Sequence, residues 1–303
     1  MAPQGAPVSR DDLTSRQLPQ MTLSNPSNPL TRPLTPPPAD LSPAERAARR
    51  FAVQGNAIIT GGCGNLGLEV ARALLEHDAS GVSLFDINPG NFQTEIDGLR
   101  TSFPSAKIIA IKVDVRNERA VQDAVEQTAR DLGSVDMLLC FAGVVACTHA
   151  LDVGLEEWKR TLEINTTGSF ICAQAAARRM VEQKTGGSIL FTASISGHSV
   201  NFPQPQVSYN VSKGALLQLR NSLAAEWARY GIRVNSISPG YMDTILNEGA
   251  GLEEARSIWA SRNPMARMGV PTELTGAAVL LCSRAGRYIN GADIIVDGGG
   301  SVF

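Results

Sequence analysis

Apolar and polar positions follow a repeating pattern from Asn56 onward: a short apolar run, a turn bearing Gly or Asp, and then an amphipathic segment. Short apolar runs bounded by turns are typical of buried strands, and longer amphipathic segments are typical of helices. Seven strands are predicted, at residues 57–60, 82–86, 108–114, 137–141, 188–193, 233–238 and 293–297. Strands that are apolar throughout must be covered on both faces. The pattern therefore predicts an α/β fold with one doubly wound, Rossmann-type parallel sheet and helices on both faces.

The first 41 residues break this pattern. They are rich in Pro, Ser, Thr and Asn and hold too few apolar residues to bury, which predicts a disordered or surface-draped tail over residues 1–41. The sequence Ser-Pro-Ala-Glu at 42–45 supplies an N-cap, a proline at the first helical position and an acid at the third, so a helix begins there. No linker or repeat divides the remainder of the chain, and we expect a single domain over residues 42–303.

Composition narrows the range of partners. The chain has 303 residues, of which 27 are basic and 29 acidic without a long run of either sign, so nucleic acid and anionic membranes are not expected partners. Its five cysteines and three histidines show no metal-ligand spacing, and the cysteines are expected to be reduced thiols. Because no apolar stretch is long enough for a bilayer, the sequence favours a soluble, cytoplasmic protein that binds small molecules and uses an organic cofactor for any redox chemistry.

A glycine-rich turn comes directly after the first strand. It reads Thr-Gly-Gly-Cys-Gly-Asn-Leu-Gly over residues 60–67, and we expect a helix from Leu68 to Glu76 immediately after it. Glycines between a strand and a helix let the backbone approach a dinucleotide pyrophosphate, which the free N–H groups of the helix N-terminus then bind. The flanking strand and helix therefore make dinucleotide binding the favoured interpretation of this turn.

Acidic residues end the second and third strands. Asp86 lies 25 residues after Gly61, where a carboxylate would accept a hydrogen bond from an adenosine 2′-hydroxyl and repel a 2′-phosphate. No Arg or Lys in the glycine turn or directly after Asp86 offsets that repulsion, so NAD is favoured as the cofactor over NADP. The alternative is that Asp86 only caps the end of its strand. Asp114 and Val115, which end the third strand, are candidates for contacts to the adenine.

Ser194, Tyr209 and Lys213 are the candidate catalytic residues. Tyr209 and Lys213 are four residues apart near the start of a predicted helix, which places both side chains on one face. A phenol has an unperturbed pKa of about 10, and an adjacent ammonium and a nearby nicotinamide cation would stabilise its phenolate. Ser194, at the end of the fifth strand, can donate a hydrogen bond to a substrate oxygen as negative charge develops there.

The order of these features, with Pro239-Gly240 after the sixth strand, resembles the short-chain dehydrogenase/reductase family over residues 56–303. The resemblance implies that Ser194 donates a hydrogen bond to the substrate oxygen and that Tyr209 is the acid/base. It implies that Lys213 binds the cofactor ribose and lowers the pKa of Tyr209. Asn165 matches the family's helix asparagine that holds a proton-relay water.

The resemblance also implies a set of cofactor contacts. Met242 is expected to contact the nicotinamide carboxamide through its backbone and Thr244 through its hydroxyl. The expected cofactor-binding residues are Gly61, Asn65, Leu66, Gly67, Asp86, Asp114, Val115, Ala142, Gly143, Tyr209, Lys213, Pro239, Gly240, Met242 and Thr244. Residues 290–299 match the family's last turn and strand, which is commonly a subunit contact, so a homo-oligomer, either a tetramer or a dimer, is expected.

Three departures from the family pattern affect these expectations. Asn65 stands where the family usually has glycine, and Asn tolerates a left-handed backbone better than most residues. Cys140-Phe141 replaces two amides that normally stitch the turn after the fourth strand, which is expected to weaken cofactor binding. Ser194 precedes Tyr209 by 15 residues instead of the family's usual 13, which is the spacing of Ser196. We prefer Ser194 because it directly continues the strand.

The loop over residues 197–206 is the clearest indication of the substrate. It resembles the Val-Asn-x-Pro-Gln-x-Gln stretch of polyol dehydrogenases and ketose reductases, including those for arabinitol, sorbose, mannitol and xylulose. Its amides, hydroxyls and imidazole suit a polyhydroxylated chain, although such side chains can also be simply solvated. The candidate substrate residues are Ser196, His198, Asn201 and Gln206. A lid over residues 247–262 is expected to close over the substrate.

Three functions are compatible with the sequence. The favoured one is an oxidoreductase that transfers a hydride between a nicotinamide dinucleotide and a polyol/ketose pair. The second keeps the chemistry but acts on a secondary-metabolite ketone or a 3-oxoacyl group, which a mostly apolar lid would suit. The third is a non-catalytic dinucleotide-binding regulator or scaffold, suggested by Asn65 and Cys140-Phe141. The retained Ser194, Tyr209 and Lys213 argue against this third function.

Overall fold

A parallel sheet forms the centre of the molecule in a computed structural model that describes residues 14–244, 247 and 249–302. Residues 1–13 of the predicted tail, residues 245, 246 and 248, and residue 303 lie outside the described residues. The strands are β1 (Asn56–Thr60), β2 (Gly81–Asp86), β3 (Lys107–Lys112), β4 (Met137–Cys140), β5 (Gly187–Thr192), β6 (Ile232–Pro239) and β7 (Asp293–Val296). Their order is β3-β2-β1-β4-β5-β6-β7, all parallel, which confirms the predicted doubly wound fold.

Helices cover both faces of the sheet. They are α1 (Pro43–Phe51), α2 (Asn65–Glu76), α3 (Gln93–Ser102), α4 (Glu118–Leu132), α5 (Leu155–Leu162), α6 (Gly168–Gln183), α7 (Val207–Trp227), α8 (Glu253–Ser261) and α9 (Thr272–Cys282). Successive strand residues point to opposite faces, so Ile59 packs in one apolar cluster with residues of α2 and α9. Its neighbour Ile58 packs in a second cluster with residues of α4, α6 and α7.

The predicted boundaries differ from the observed ones near the ends of strands. β3 ends at Lys112 rather than at residue 114, because the ladder stops although Val113 remains buried. Helix α2 begins at Asn65, three residues before the predicted start, with Gly64 as its N-cap. Asn65 therefore has a helical backbone, and the left-handed conformation in this turn belongs to Gly61, whose φ is +61°.

The chain from residue 14 to residue 52 lies on the surface and contains no buried residue. Helix α1 begins with the predicted capping box, in which the Ser42 side chain accepts a hydrogen bond from the backbone N–H of Glu45. The Asn28 amide donates to the carbonyl of Arg229 at 2.7 Å, which attaches the described part of the tail to the domain. Among the described helices, none is long and apolar enough to cross a membrane.

Candidate active site

The carboxyl ends of β1, β4 and β5 lie side by side at the edge where the strand order reverses. Thr60 at the end of β1 pairs in register with Cys140 of β4, which pairs with Phe191 of β5. In open parallel sheets, ligands bind in the crevice outside such strand ends. Several predicted residues come within two positions after these strand ends, namely Gly61 after β1, Ala142 after β4 and Ser194 after β5, and the structure gathers these three at one edge.

The glycine turn after β1 is shaped for close approach by a ligand. A Cβ atom on Gly62 would come within 2.6 Å of the Ile59 carbonyl oxygen, and one on Gly67 would clash with the carbonyl oxygen of Gly61. Gly64 caps α2 without any side-chain hydrogen bond, so the first N–H groups of the helix are left for a ligand. Leu66 is half-buried in the first turn of α2. This cradle fits the pyrophosphate of a dinucleotide.

Asn165 holds the turn after β4. It is fully buried within a π-helical turn, Glu163–Thr167, that joins α5 to α6. Its Oδ1 accepts from the Val144 N–H at 2.8 Å, and its Nδ2 donates to the Val144 carbonyl and to Ser212 Oγ, each at 2.9 Å. The Ala142 N–H donates to Thr60 Oγ1 at 3.2 Å. The turn is thus held by side chains that lie outside it.

Ser194, Tyr209 and Lys213 meet between the end of β5 and the first turn of α7. Ser194 Oγ accepts a hydrogen bond from the Ser196 N–H at 3.1 Å and donates to Ser196 Oγ at 3.0 Å. The Lys213 Nζ lies 5.5 Å from the centroid of the Tyr209 ring and donates to the Thr192 carbonyl at 2.6 Å. A strand end and a helix start therefore hold the three side chains together.

Burial shifts the pKa values of the tyrosine and the lysine in opposite directions. Burial raises the pKa of Tyr209 to about 12, and a hydrogen bond with the Ser194 side chain opposes this rise without cancelling it. Burial lowers the pKa of Lys213 to about 8. Desolvation thus outweighs the expected lowering of the Tyr209 pKa by Lys213. At neutral pH the phenol keeps its proton and can act as an acid.

The two predicted adenosine contacts are engaged with their own loops. Asp86 accepts hydrogen bonds from the Cys63 N–H at 3.3 Å and from the Asn88 N–H at 3.2 Å. The Arg116 guanidinium binds the Asp114 carboxylate at 2.6 Å and, through this hydrogen bond, holds the pKa of that carboxyl below its usual range. Val115 is buried beside Asp114. Asp86 therefore ties the second strand to the glycine turn, which is the capping role that the sequence offered as the alternative to ribose binding.

The segment after β6 contains the residues expected to contact the nicotinamide. The Gly240 N–H donates to the Val296 carbonyl at 2.9 Å, which fixes the exit of the chain from Pro239. Met242 is buried and its carbonyl accepts from the side chain of Asn247 at 2.8 Å. Thr244 is buried as well. The backbone of this segment is thus held in place by neighbouring strands and loops.

Three of the predicted substrate residues form one amide network beside Ser194. The Gln206 side chain donates to Asn201 Oδ1 at 2.8 Å and to Ser196 Oγ at 3.4 Å. The fourth, His198, is turned elsewhere: its Nε2 lies 2.9 Å from Asp293 Oδ2 and 3.1 Å from Ser238 Oγ. His198 therefore joins the catalytic loop to β6 and β7 and takes no part in the amide network.

The network includes residues outside the set of four predicted substrate residues. Gln204 Nε2 donates to Gln206 Oε1 at 3.2 Å and to the hydroxyl of Tyr241 at 3.1 Å. Trp259, on α8 of the expected lid, donates to Gln204 Oε1 at 3.0 Å. The Cys147 Sγ lies 3.7 Å from Gln206 Oε1. Of these, only Gln204 has a sequence signal, because it stands in the polar loop, and Trp259 connects the lid to that loop.

Comparison with known proteins shows which proteins this chain resembles. A family model described as enoyl-(acyl carrier protein) reductase matches residues 63–301. An NADP-dependent mannitol dehydrogenase from Alternaria alternata is 36% identical over 82% of this chain and 93% of its own. A sorbose reductase from Schizosaccharomyces pombe is 37% identical over 82% of this chain and 97% of its own. The crystal structure of a short-chain type dehydrogenase/reductase from Mycobacterium marinum is 39% identical, covers 83% of this chain and 98% of its own, and superimposes with a TM-score of 0.79.

The fold and the site together define a dinucleotide-dependent oxidoreductase that acts on CH–OH groups. The chain belongs to the short-chain dehydrogenase/reductase family.

The preference for NAD that we based on Asp86 is wrong. It is contradicted by the relatives, which include NADP-dependent mannitol dehydrogenases. The preference assumed a free carboxylate facing the ribose, whereas the Asp86 oxygens accept hydrogen bonds from two backbone N–H groups. In addition, Asp86 pairs in register with Lys112 of β3, an exposed cation whose side chain points to the same face of the sheet.

We predict that Gly67→Ala weakens dinucleotide binding at least tenfold, because the new methyl group would push the Gly61 carbonyl out of the cradle. Titration with NADH and NADPH measures the effect. Gly98→Ala is the matched control: Gly98 lies within α3 with open space around it, so binding is unchanged and helix propensity raises the free energy of unfolding by up to about 1 kcal/mol. Wild-type affinity in Gly67→Ala would contradict the proposed cradle.

We also predict that Lys213→Met is inactive but more stable than the wild type at pH 7, by about 1–2 kcal/mol in the free energy of unfolding. The variant no longer buries an ammonium, which increases its free energy of unfolding. This increase is reduced because the Thr192 carbonyl loses its hydrogen-bond donor. In the wild type, folding depresses the lysine pKa from 10.5 to about 8. Between these values the unfolded chain holds more protons, so wild-type stability rises with pH and the difference shrinks.

Urea unfolding at pH 7 and at pH 10 tests this expectation, with Lys107→Met as the control because Lys107 is exposed at the start of β3. A Lys213→Met protein that is less stable than the wild type at pH 7 would show that the lysine is not penalised by burial.

Proposed function

We propose that this chain interconverts a polyol and the corresponding ketose with NADP(H) as the hydride carrier. The observation that carries the proposal is the amide network, which links Ser196, two residues from Ser194, to Gln206 and Asn201. Such a wall of fixed donors and acceptors suits a substrate with several hydroxyl groups. The names of the mannitol dehydrogenase and sorbose reductase relatives point to the same substrate class.

Proton transfer is assigned to Tyr209. In ketose reduction its phenol, protonated at neutral pH, gives its proton to the substrate carbonyl oxygen, and in polyol oxidation the phenolate takes the proton back. Ser194 donates a hydrogen bond to the same oxygen in place of its bond to Ser196 Oγ. The bound nicotinamide supplies or accepts the hydride.

Lys213 and the glycine turn are assigned to cofactor binding. A Cβ atom on Gly143 would lie 3.8 Å from the Lys213 Nζ, so the absence of a side chain there leaves the ammonium open toward a ribose hydroxyl. The N–H groups at the start of α2 would hold the pyrophosphate. Lys112, beside Asp86, would face the 2′-phosphate. Asn165 keeps the turn that carries Gly143 in place.

The assignment extends to the organisation of the chain. We propose that residues 42–303 form the catalytic domain and that residues 1–41 lie outside it. Few hydrogen bonds, among them Asn28 to the Arg229 carbonyl, attach the described part of that segment. We also propose that the protein acts in the cytoplasm as a homo-oligomer, and gel filtration of the full chain would test its oligomeric state.

Tyr209→Phe is expected to lower kcat at least about a thousandfold, because the phenyl ring cannot carry the proton. Dinucleotide affinity is expected to persist. The measurement is turnover of mannitol, sorbitol, arabinitol, fructose, sorbose and xylulose against bulky apolar ketones, followed by nicotinamide absorbance. Undiminished activity in the variant would refute the role of Tyr209, and a wild type that reduces only apolar ketones would refute the polyol assignment.

NADP is expected to support kcat/KM at least tenfold better than NAD in the wild type. Lys112→Gln should narrow that ratio because it removes the cation beside Asp86, whereas Lys107→Gln at the opposite end of β3 should not. A wild type that prefers NAD would remove NADP from the proposal and leave the substrate class standing.

A further inference from the structure

The hydroxyl of Tyr241 is held as a pure hydrogen-bond donor. Its oxygen accepts hydrogen bonds from Asn201 Nδ2 at 2.9 Å and from Gln204 Nε2 at 3.1 Å. Both partners are amide N–H groups, which cannot accept a proton from the phenol. Within the described part of the chain, no acceptor lies within hydrogen-bonding distance of this hydroxyl. The O–H group is therefore oriented by two donors and still has its own proton to give.

The ring of Tyr241 is fixed as firmly as its hydroxyl. It stacks on the Trp259 ring with the centroids 4.3 Å apart and the planes inclined by 7°. The Trp259 indole is itself anchored, because it donates to Gln204 Oε1 at 3.0 Å. Stacking and hydrogen bonds thus connect Tyr241, Trp259 and Gln204 to one another. They restrict the rotation of the Tyr241 side chain before a ligand binds.

Tyr241 is connected to the reaction site by a chain of hydrogen bonds. The amides that hold it continue through Gln206 to Ser196 Oγ, which accepts a hydrogen bond from Ser194. Tyr241 and Cys147 also raise the pKa of Tyr209 through electrostatic interactions, an effect that falls off with distance. A substrate whose oxygen lies against Ser194 and Tyr209 therefore extends toward the Tyr241 hydroxyl.

We infer that Tyr241 donates a hydrogen bond to a substrate hydroxyl oxygen on a carbon next to the reacting one, and thereby selects vicinally hydroxylated substrates over simple alcohols and ketones. This inference rests on the proposed function. A pre-oriented donor favours a ligand that presents an acceptor at that point and leaves an unpaired polar group with a ligand that does not. Toward this hydroxyl, the amides of Asn201 and Gln204 act as positioning residues, because they orient Tyr241.

The test pairs one change in the protein with one change in the substrate. The ketose that the wild type reduces best is compared with its 1-deoxy and 3-deoxy analogues, in the wild type and in Tyr241→Phe, which keeps the ring that stacks on Trp259. Wild-type kcat/KM is expected to fall about tenfold on one of the two analogues, which is the effect of losing one neutral hydrogen bond. Tyr241→Phe is expected to lose about tenfold on the parent ketose and no longer to distinguish it from that analogue.

Two further variants separate binding from folding. Tyr288→Phe makes the same substitution at a fully exposed tyrosine and should keep the wild-type preference for the parent ketose. Asn201→Ala removes one of the two donors that orient the Tyr241 hydroxyl and should reduce the preference about threefold. This second variant keeps the inference testable if Tyr241→Phe does not fold.

The outcomes are distinct. If Tyr241→Phe discriminates against the deoxy analogues as strongly as the wild type does, or if the wild type does not discriminate at all, the inference about Tyr241 is overturned while the proposed function stands. If the wild type reduces no ketose, the proposed function fails and the inference fails with it.

Discussion

The hydrogen bond from the Lys213 ammonium to the Thr192 carbonyl fixes the arrangement of the reaction site. It connects the last residue of β5 to the second turn of α7, two elements that otherwise meet only through apolar packing. Ser194 comes two residues after Thr192 and Tyr209 precedes Lys213 by four, so this bond, together with the hydrogen bond between Ser194 and Tyr209, holds the three groups close to one another. An ammonium inside a protein is unstable without such a partner, and the lysine therefore positions the site only because the carbonyl is there.

The opposite pKa shifts of the pair have a common cause. Desolvation disfavours whichever form is charged, which is the phenolate for Tyr209 and the ammonium for Lys213. With pKa values of about 12 and about 8, the tyrosine is neutral at physiological pH while the lysine is mostly charged. A protonated acid beside a cation is the arrangement that the reductive direction requires. A cation bound at the nicotinamide position would shift the tyrosine toward the base that oxidation requires.

The sequence predicted those parts of the structure that depend on local patterns. Unbroken apolar runs located the strands, and the glycine turn between β1 and α2 located the cofactor end, because both signals lie within a few neighbouring residues. The strand ends were less well predicted, since Val113 is apolar and buried and its N–H still donates to the Asp86 carbonyl, although β3 ends at Lys112. The side chains at 194, 209 and 213 could be selected only from their order along the chain, because a tyrosine and a lysine four apart are common in helices.

Long-range contacts account for the features that the sequence did not predict. Tyr241 and Gln204 are 37 positions apart in the sequence, and Trp259 and Gln204 are 55 apart. No local sequence pattern therefore predicts the network. The cofactor preference failed for the same reason, because the orientation of the Asp86 carboxylate depends on Cys63, 23 residues before it.

Asn165 shows how one buried side chain can hold a loop that is distant from it in the sequence. Its amide reaches Val144 from 21 positions away and forms hydrogen bonds with both the N–H and the carbonyl of that residue. Its Nδ2 also donates to Ser212 Oγ on α7, one residue before Lys213. The turn after β4 and the helix that carries Tyr209 and Lys213 therefore share one support, and a change at Asn165 would disturb both together.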